Sequence, residues 1–327
     1  MKRSLIFLMM VFAAVATQGA ERPVHTFSIV ARDAATGEMG VAVQSHWFSV
    51  GSIVTWAEAG VGAVATQSFV DPAYGPRGLE LMKSGLSAKQ ALEALLLVDD
   101  GRDVRQVAFV DTEGRVATHT GAACIEVASQ HVGEGYSVQA NMMLNDRVVP
   151  AMAEAYESTE GDLADRMLAA LVAGQKAGGD IRGKQSAAML IVKPESTGRP
   201  WADRVLELRI EDAPDPIAEL GRLLTVHRAY DHMNAGDLAV EHGDLELAMA
   251  EYGAAAELLP GNLEVEYWAA VTLATNGGLD QALPTFKKIF AADPNWIELT
   301  RRLLKPGIIP DTPEGQALVE RITAGAE

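Results

Sequence analysis

A hydroxyl at the head of a strand is the first chemical feature of this sequence. Thr26 opens the alternating run 26–31, just after a basic, apolar, small-residue leader. A threonine hydroxyl becomes a nucleophile when a neighbouring base takes its proton. Asn141 follows a second strand pattern over 136–140, and its side-chain amide can donate to an oxyanion. Gln139 lies two residues earlier and so points to the same face. A polar, glycine-rich loop over 178–186 carries Asp180, Arg182 and Gln185. Its mixed charge and exposed backbone suit a polar or carboxylate-bearing substrate. His119, on a strand pattern over 115–119, is a further candidate for lining a site. Tyr74 and Arg77 are candidates for its rim, within a loop dense in proline and glycine.

Other chemistries find little support. The seven histidines are scattered without metal-ligand spacing. The one cysteine, Cys124, sits in the strand-like CIEVAS and reads as a small buried hydrophobe. Gly60 and Gly62 lie inside a strand pattern, with no third glycine at the dinucleotide spacing, and there is no phosphate-binding P-loop. No metal or cofactor is expected. The net charge of −17 would repel phosphate backbones and anionic lipid, which argues against nucleic acid as a partner.

These residues need a scaffold, and the scaffold reads as strands and helices in blocks. Residues 25–45 form two period-two strands around a turn, where Gly37 can take positive φ. Further strands are expected over 52–56, 60–69, 105–111, 115–119, 124–129, 136–140, 187–192 and 204–210. Helices are expected over 79–83, 87–98, 148–156 and 163–176. Ser87 with Gln90 makes a capping box for the second of these. Short turns between strands predict antiparallel sheets, with sheets inside and helices outside.

Lys2 and Arg3, the apolar run 5–12 and the small residues Ala14 and Ala16 read as a secretory signal over about 1–20. The mature protein is therefore expected to be exported, to the periplasm or beyond, with no membrane anchor. A first domain would cover 21–211. An acidic, proline-bearing linker over 211–216 precedes a helical region over 217–327. There Gly243, Ala248, Tyr252 and Pro260 recur 34 positions later as Gly277, Ala282, Phe286 and Pro294. That period and residue order resemble the tetratricopeptide repeat. With two repeats visible, a helix over 216–227, a helix over 313–324 or the first domain is expected to cap them.

Residues 25–210 also resemble the domain-of-unknown-function 1028 family of bacteria and archaea, placed in the N-terminal-nucleophile (Ntn) hydrolase-like superfamily. The resemblance rests on HTFSIVARD (25–33), GVAVQS (40–45), AGVGAVATQ (59–67), YGPRG (74–78), THTG (118–121), SVQ with Asn141 (137–141) and GGDIRGKQS (178–186). It implies a four-layer αββα fold, an α+β class, with the tetratricopeptide-like extension behind it. It implies no settled reaction. In Ntn hydrolases the first-strand nucleophile is the mature N-terminus and its own α-amine is the base. Thr26 matches that position, and Asn141 would serve the oxyanion. Here the cleaved leader would still leave residues ending in Pro23, Val24 and His25 ahead of Thr26, so a further cut is needed.

Two functional expectations follow. One is an exported amidohydrolase acting on a small amide or peptide, with Gln139, His119, Asp180, Arg182 and Gln185 contacting substrate. The alternative is a non-catalytic binding or adaptor protein that uses the fold and presents the helical tail to a protein partner. A homo-oligomer is compatible with either.

Overall fold

The computed structural model describes residues 26–324; the expected export signal lies outside the described residues. Two compact units divide at Leu220. Among its described residues the first holds ten strands in two antiparallel sheets, together with five α-helices and the start of a sixth.

In chain order these are β1 (Thr26–Arg32), β2 (Met39–Ser45), α1 (Gly51–Val54), β3 (Thr55–Glu58), β4 (Gly62–Ser68), α2 (Tyr74–Lys83), α3 (Ala88–Val98), β5 (Arg105–Asp111) and β6 (Val116–Thr120). There follow β7 (Ser129–Gly133), β8 (Tyr136–Ala140), α4 (Val148–Ser158), α5 (Leu163–Lys176), β9 (Ser186–Val192) and β10 (Arg204–Ile210). One sheet has the order β10-β9-β2-β1-β8-β7 and the other β3-β4-β5-β6. The sheets face each other, with α4 and α5 on the first and α2 and α3 on the second.

Alternation along the strands decides what fills each layer. Between the sheets, Val30, Val41 and Val43 meet Ala63, Ala65, Ala108 and Val110. On the outer face of the smaller sheet, Val64, Val107 and Phe109 pack under Tyr74, Leu79, Met82, Ala91 and Leu92 of the helices. Small side chains thus line the inter-sheet layer and larger ones the helical layer. Gly78 lets α2 approach, since a Cβ there would stand 2.4 Å from the Phe109 ring. Along β1 the inter-sheet face changes from Val30 to Ser28 and Thr26, so the apolar core becomes polar at one end.

The first turn is held by Asp33. Its Oδ1 accepts from the amides of Ala35 (2.7 Å) and Thr36 (2.8 Å), and its Oδ2 pairs with Arg166 of α5. Gly37 takes φ +77°. Burial pushes the Asp33 carboxyl up, but the Thr36 and Ala35 amides and the Arg166 guanidinium outweigh it and hold it below the ordinary carboxylate value. A lowered folded pKa gives stability above the unfolded value, about 4, that is lost as pH falls through the folded value. Asp33→Asn should cost about 1–2 kcal/mol at neutral pH, and the cost should shrink below about pH 4. Urea midpoints at several pH values test this; a gap that stays constant down to about pH 2 would refute it.

Several expected elements differ. The strand expected over 52–56 is one turn of helix, α1, and then β3. Ser49 takes φ +56° and Ser52 Oγ bonds its carbonyl at 2.7 Å, so the chain turns before Thr55 can extend. The loop expected over 71–78 gives way to α2 from Tyr74: Asp71 Oδ1 accepts from the Ala73 amide at 2.9 Å just before the helix, and Pro76 sits in the first turn, where no N–H is needed. The strand expected over 124–129 is irregular. Cys124 N bonds Gly121 O in a turn and Val127 takes φ +58°, and the strand begins only at Ser129. Cys124 is half-buried, with burial raising its thiol pKa. The capping box of α3 forms as read.

The second unit is helical. Helix α6 (Pro216–Glu241) starts in the first unit, where Asp215 Oδ1 bonds the Ala218 amide at 3.3 Å, and runs past the expected end at residue 227. It is followed by α7 (Leu245–Leu258), α8 (Leu263–Thr275), α9 (Leu279–Ala292), α10 (Asn295–Arg302) and α11 (Pro313–Thr323). Tyr267, Phe286, Ile289 and Phe290 centre its core. No helix among the described residues is long and apolar enough to cross a membrane.

Candidate functional site

The polar end of the inter-sheet layer gathers hydroxyls and amides from five strands. Thr26 and Ser28 come from β1, Ser45 ends β2, and Gln67, Gln106 and Gln139 come from β4, β5 and β8; Asn141 follows β8. All are buried. Thr26 stands opposite Ser45 in the β1–β2 register, and its Oγ1 donates to Ser45 Oγ at 3.2 Å. Its carbonyl accepts from the Asn141 amide (3.1 Å), Gln67 Nε2 (3.3 Å) and Asn141 Nδ2 (3.5 Å).

The amides then link the two sheets. Ser28 Oγ donates to Gln67 Oε1 at 2.7 Å and accepts from Gln139 Nε2 at 2.6 Å. Gln106 Oε1 accepts from Gln67 Nε2 (2.7 Å) and Asn141 Nδ2 (3.0 Å). Gln106 Nε2 lies within bonding distance of Thr120 Oγ1 (2.9 Å), Ala140 O (3.0 Å) and Ser129 O (3.2 Å). Among the described residues every side chain in this network is a neutral hydroxyl or amide. It fixes donors and acceptors in place but supplies no acid or base near neutrality.

Two residues beside the network hold left-handed backbone. Ser68, with φ +71°, follows Gln67, and Met142, with φ +55°, follows Asn141. Such a conformation costs a non-glycine residue about 1–3 kcal/mol and is retained where the surroundings over-determine it. Each one directly follows an amide whose direction the network uses.

The structure brings Thr26, Gln139 and Asn141 into this one network. It sets the glycine-rich loop against the same end of the sheet. Asp180 bridges to Met143, two residues past Asn141. Its buried carboxylate accepts from Arg182 Nη2 at 2.7 Å and from the His46 amide at 3.1 Å. Asp180 and Arg182 thus form an ion pair within the loop. Gln185 meets the site through its backbone, donating to Ser45 O at 3.0 Å. His119 lies apart. It pairs with Val107 on the helix-facing side of β5, and its Nε2 contacts Arg102 O at 2.7 Å, whereas the next residue, Thr120, faces the network. Tyr74 bonds Asp99 under α2, with burial raising its phenol pKa.

Sequence reasoning passed over Ser28, Ser45, Gln67 and Gln106. Alternation from Thr26 gives Ser28 the same face, and that signal was present. Gln67 and Gln106 could be placed only by knowing which strands lie opposite. Among the described residues no group of three or more His, Cys, Asp or Glu is arranged to hold a metal ion.

Comparison with known proteins adds family membership. The model of the family of unknown function DUF1028 matches residues 26–220. The crystal structure of protein SPO2555 from Silicibacter pomeroyi, assigned to the same family model, is similar at 31% identity and a TM-score of 0.55. The match covers 61% of this chain and 88% of that one. No curated protein matches. The strands that carry Thr26, Gln67, Gln106 and Asn141 all fall within the matched span, and the chain belongs to the DUF1028 family.

Proposed function

We propose that the first unit is an exported Ntn-type amidohydrolase acting on a small amide or peptide. In this reading the facing sheets with their outer helix pairs are the four-layer αββα arrangement of that superfamily. The observation that carries it is Thr26: a buried hydroxyl at the head of a central strand, bonded to Ser45 Oγ and beside Asn141, in a network whose described side chains are neutral hydroxyls and amides. A freed α-amine titrates near neutrality and would supply the missing base.

After cleavage between His25 and Thr26, the amine takes the Oγ1 proton and Oγ1 attacks the substrate carbonyl. Asn141 Nδ2 turns from its long 3.5 Å contact to the oxyanion. The leaving amine departs with the proton, and water then hydrolyses the ester. The second unit serves as a tetratricopeptide-like platform for a protein partner. Its 34-residue recurrence supports this, as does the contact of Gly236 with Tyr252, where a Cβ would stand 2.8 Å from the ring.

The test is hydrolysis of blocked amino-acid amides and short peptides by the exported protein. Asn141→Ala should lower kcat by about 10²–10³ with the circular dichroism unchanged. Full activity in that variant refutes the oxyanion role. A second reading, a binding protein that kept the fold, is favoured by the residues ahead of Thr26, which cap its amine unless they are removed.

A further inference from the structure

Strand β7 is one of the two outer strands of the six-stranded sheet, and its residues Ser129 to Val132 are exposed. Beside it a cleft of about 740 Å³ opens between β7 and α4. Val149 and Ala153 of α4 form an apolar floor. Asp146, Glu154 and Glu157 stand along the wall, with His131 of β7 opposite. No Lys or Arg is among the described lining residues. Glu157 accepts from Tyr136 OH at 2.6 Å, which anchors that carboxylate at the cleft.

Such an edge is unusual. Exposed edges are normally blunted by lysine, proline or a covering element, because unpaired N–H and C=O groups recruit further strands. Here β7 carries neither lysine nor proline, and Val132 is 49% exposed. An added strand would direct alternate side chains over the cleft, where the acidic wall would meet them. A second copy of this acidic chain would bring like charge to that wall. A basic segment would bring the opposite charge.

We propose that β7 and its cleft form a docking site for an extended basic peptide, paired as a seventh strand with lysine or arginine at every second position. The site does not depend on Thr26 being a nucleophile.

The probe is a fluorescein-labelled, acetylated and amidated hexapeptide alternating Lys and Val, titrated against the full chain by anisotropy. Its counterpart alternating Glu and Val is the control. The Lys peptide should bind and the Glu peptide should not. Asp146→Lys and Glu154→Lys should each weaken binding by about tenfold, with circular dichroism unchanged. Peptides N-methylated on the Lys residues or on the Val residues test strand pairing. One of the two series should lose binding and the other keep it, because alternate N–H groups face opposite edges. Equal binding of the Lys and Glu peptides, no binding of either, or no effect of the charge reversals would overturn the proposal. So would concentration-dependent protection of the β7 amides in hydrogen exchange, which would assign the edge to a second copy.

Discussion

Thr26→Ala should leave the protein folded and reduce amide hydrolysis by at least about 10³-fold. The structural cost is small. Among the described residues the hydroxyl donates to Ser45 Oγ at a long 3.2 Å, and the strand pairing of Thr26 runs through its backbone. The loss should therefore be about 1 kcal/mol in a urea titration. Thr26→Ser keeps the oxygen in place and should retain turnover, which separates loss of a nucleophile from loss of packing. The chemical cost is large because no other hydroxyl of the network begins a strand that could carry a free amine. Ser28 and Ser45 lie within the chain and would attack without that base. A fully active Thr26→Ala protein would refute the nucleophile assignment.

Gln106→Leu should be among the most destabilising single changes in the first unit, at about 3–5 kcal/mol. Its amide joins the sheets. Oε1 holds Gln67 and Asn141, and Nε2 lies against Thr120, Ser129 and Ala140. Leucine fills a similar space but removes all five of these contacts at once, at roughly 1 kcal/mol each. The neighbouring strand β2 supplies a contrast. Gln44 is equally buried, and among the described residues neither atom of its side-chain amide has a hydrogen-bond partner. Gln44→Leu should therefore be neutral or stabilising by the same argument. Urea unfolding of both variants decides it: a cost below about 1 kcal/mol for Gln106→Leu would show that the network is not what holds the sheets in register.

How much of this was legible depended on whether the controlling contact was local. The β1–β2 hairpin, the α3 capping box and the bounds of α5 and β10 follow from neighbours in sequence, and the structure has them. The mistaken stretches share a cause. Isoleucine and valine over 52–54 favour strand, yet Ser49 reverses the chain and forces a helical turn first. Over 124–129 the β-branched pattern is interrupted by Val127 in the left-handed region, which no propensity reveals. The candidate site divides in the same way. Thr26, Gln139 and Asn141 could be named from strand ends and alternation. Gln67 and Gln106 could not, because their importance comes from the second sheet, whose stacking on the first is a long-range fact. His119 was named by residue type, but the alternation that turns Thr120 to the network turns His119 away from it.

The nucleophilic role of Thr26 turns on one bond, between His25 and Thr26. The most direct measurement is the intact mass and N-terminal sequence of the protein purified from the exported fraction. A chain beginning at Thr26 is the predicted result, since it frees the amine that the network otherwise lacks. A chain beginning at Thr17, Ala20 or Glu21 would leave that nitrogen in an amide and would contradict the hydrolase reading.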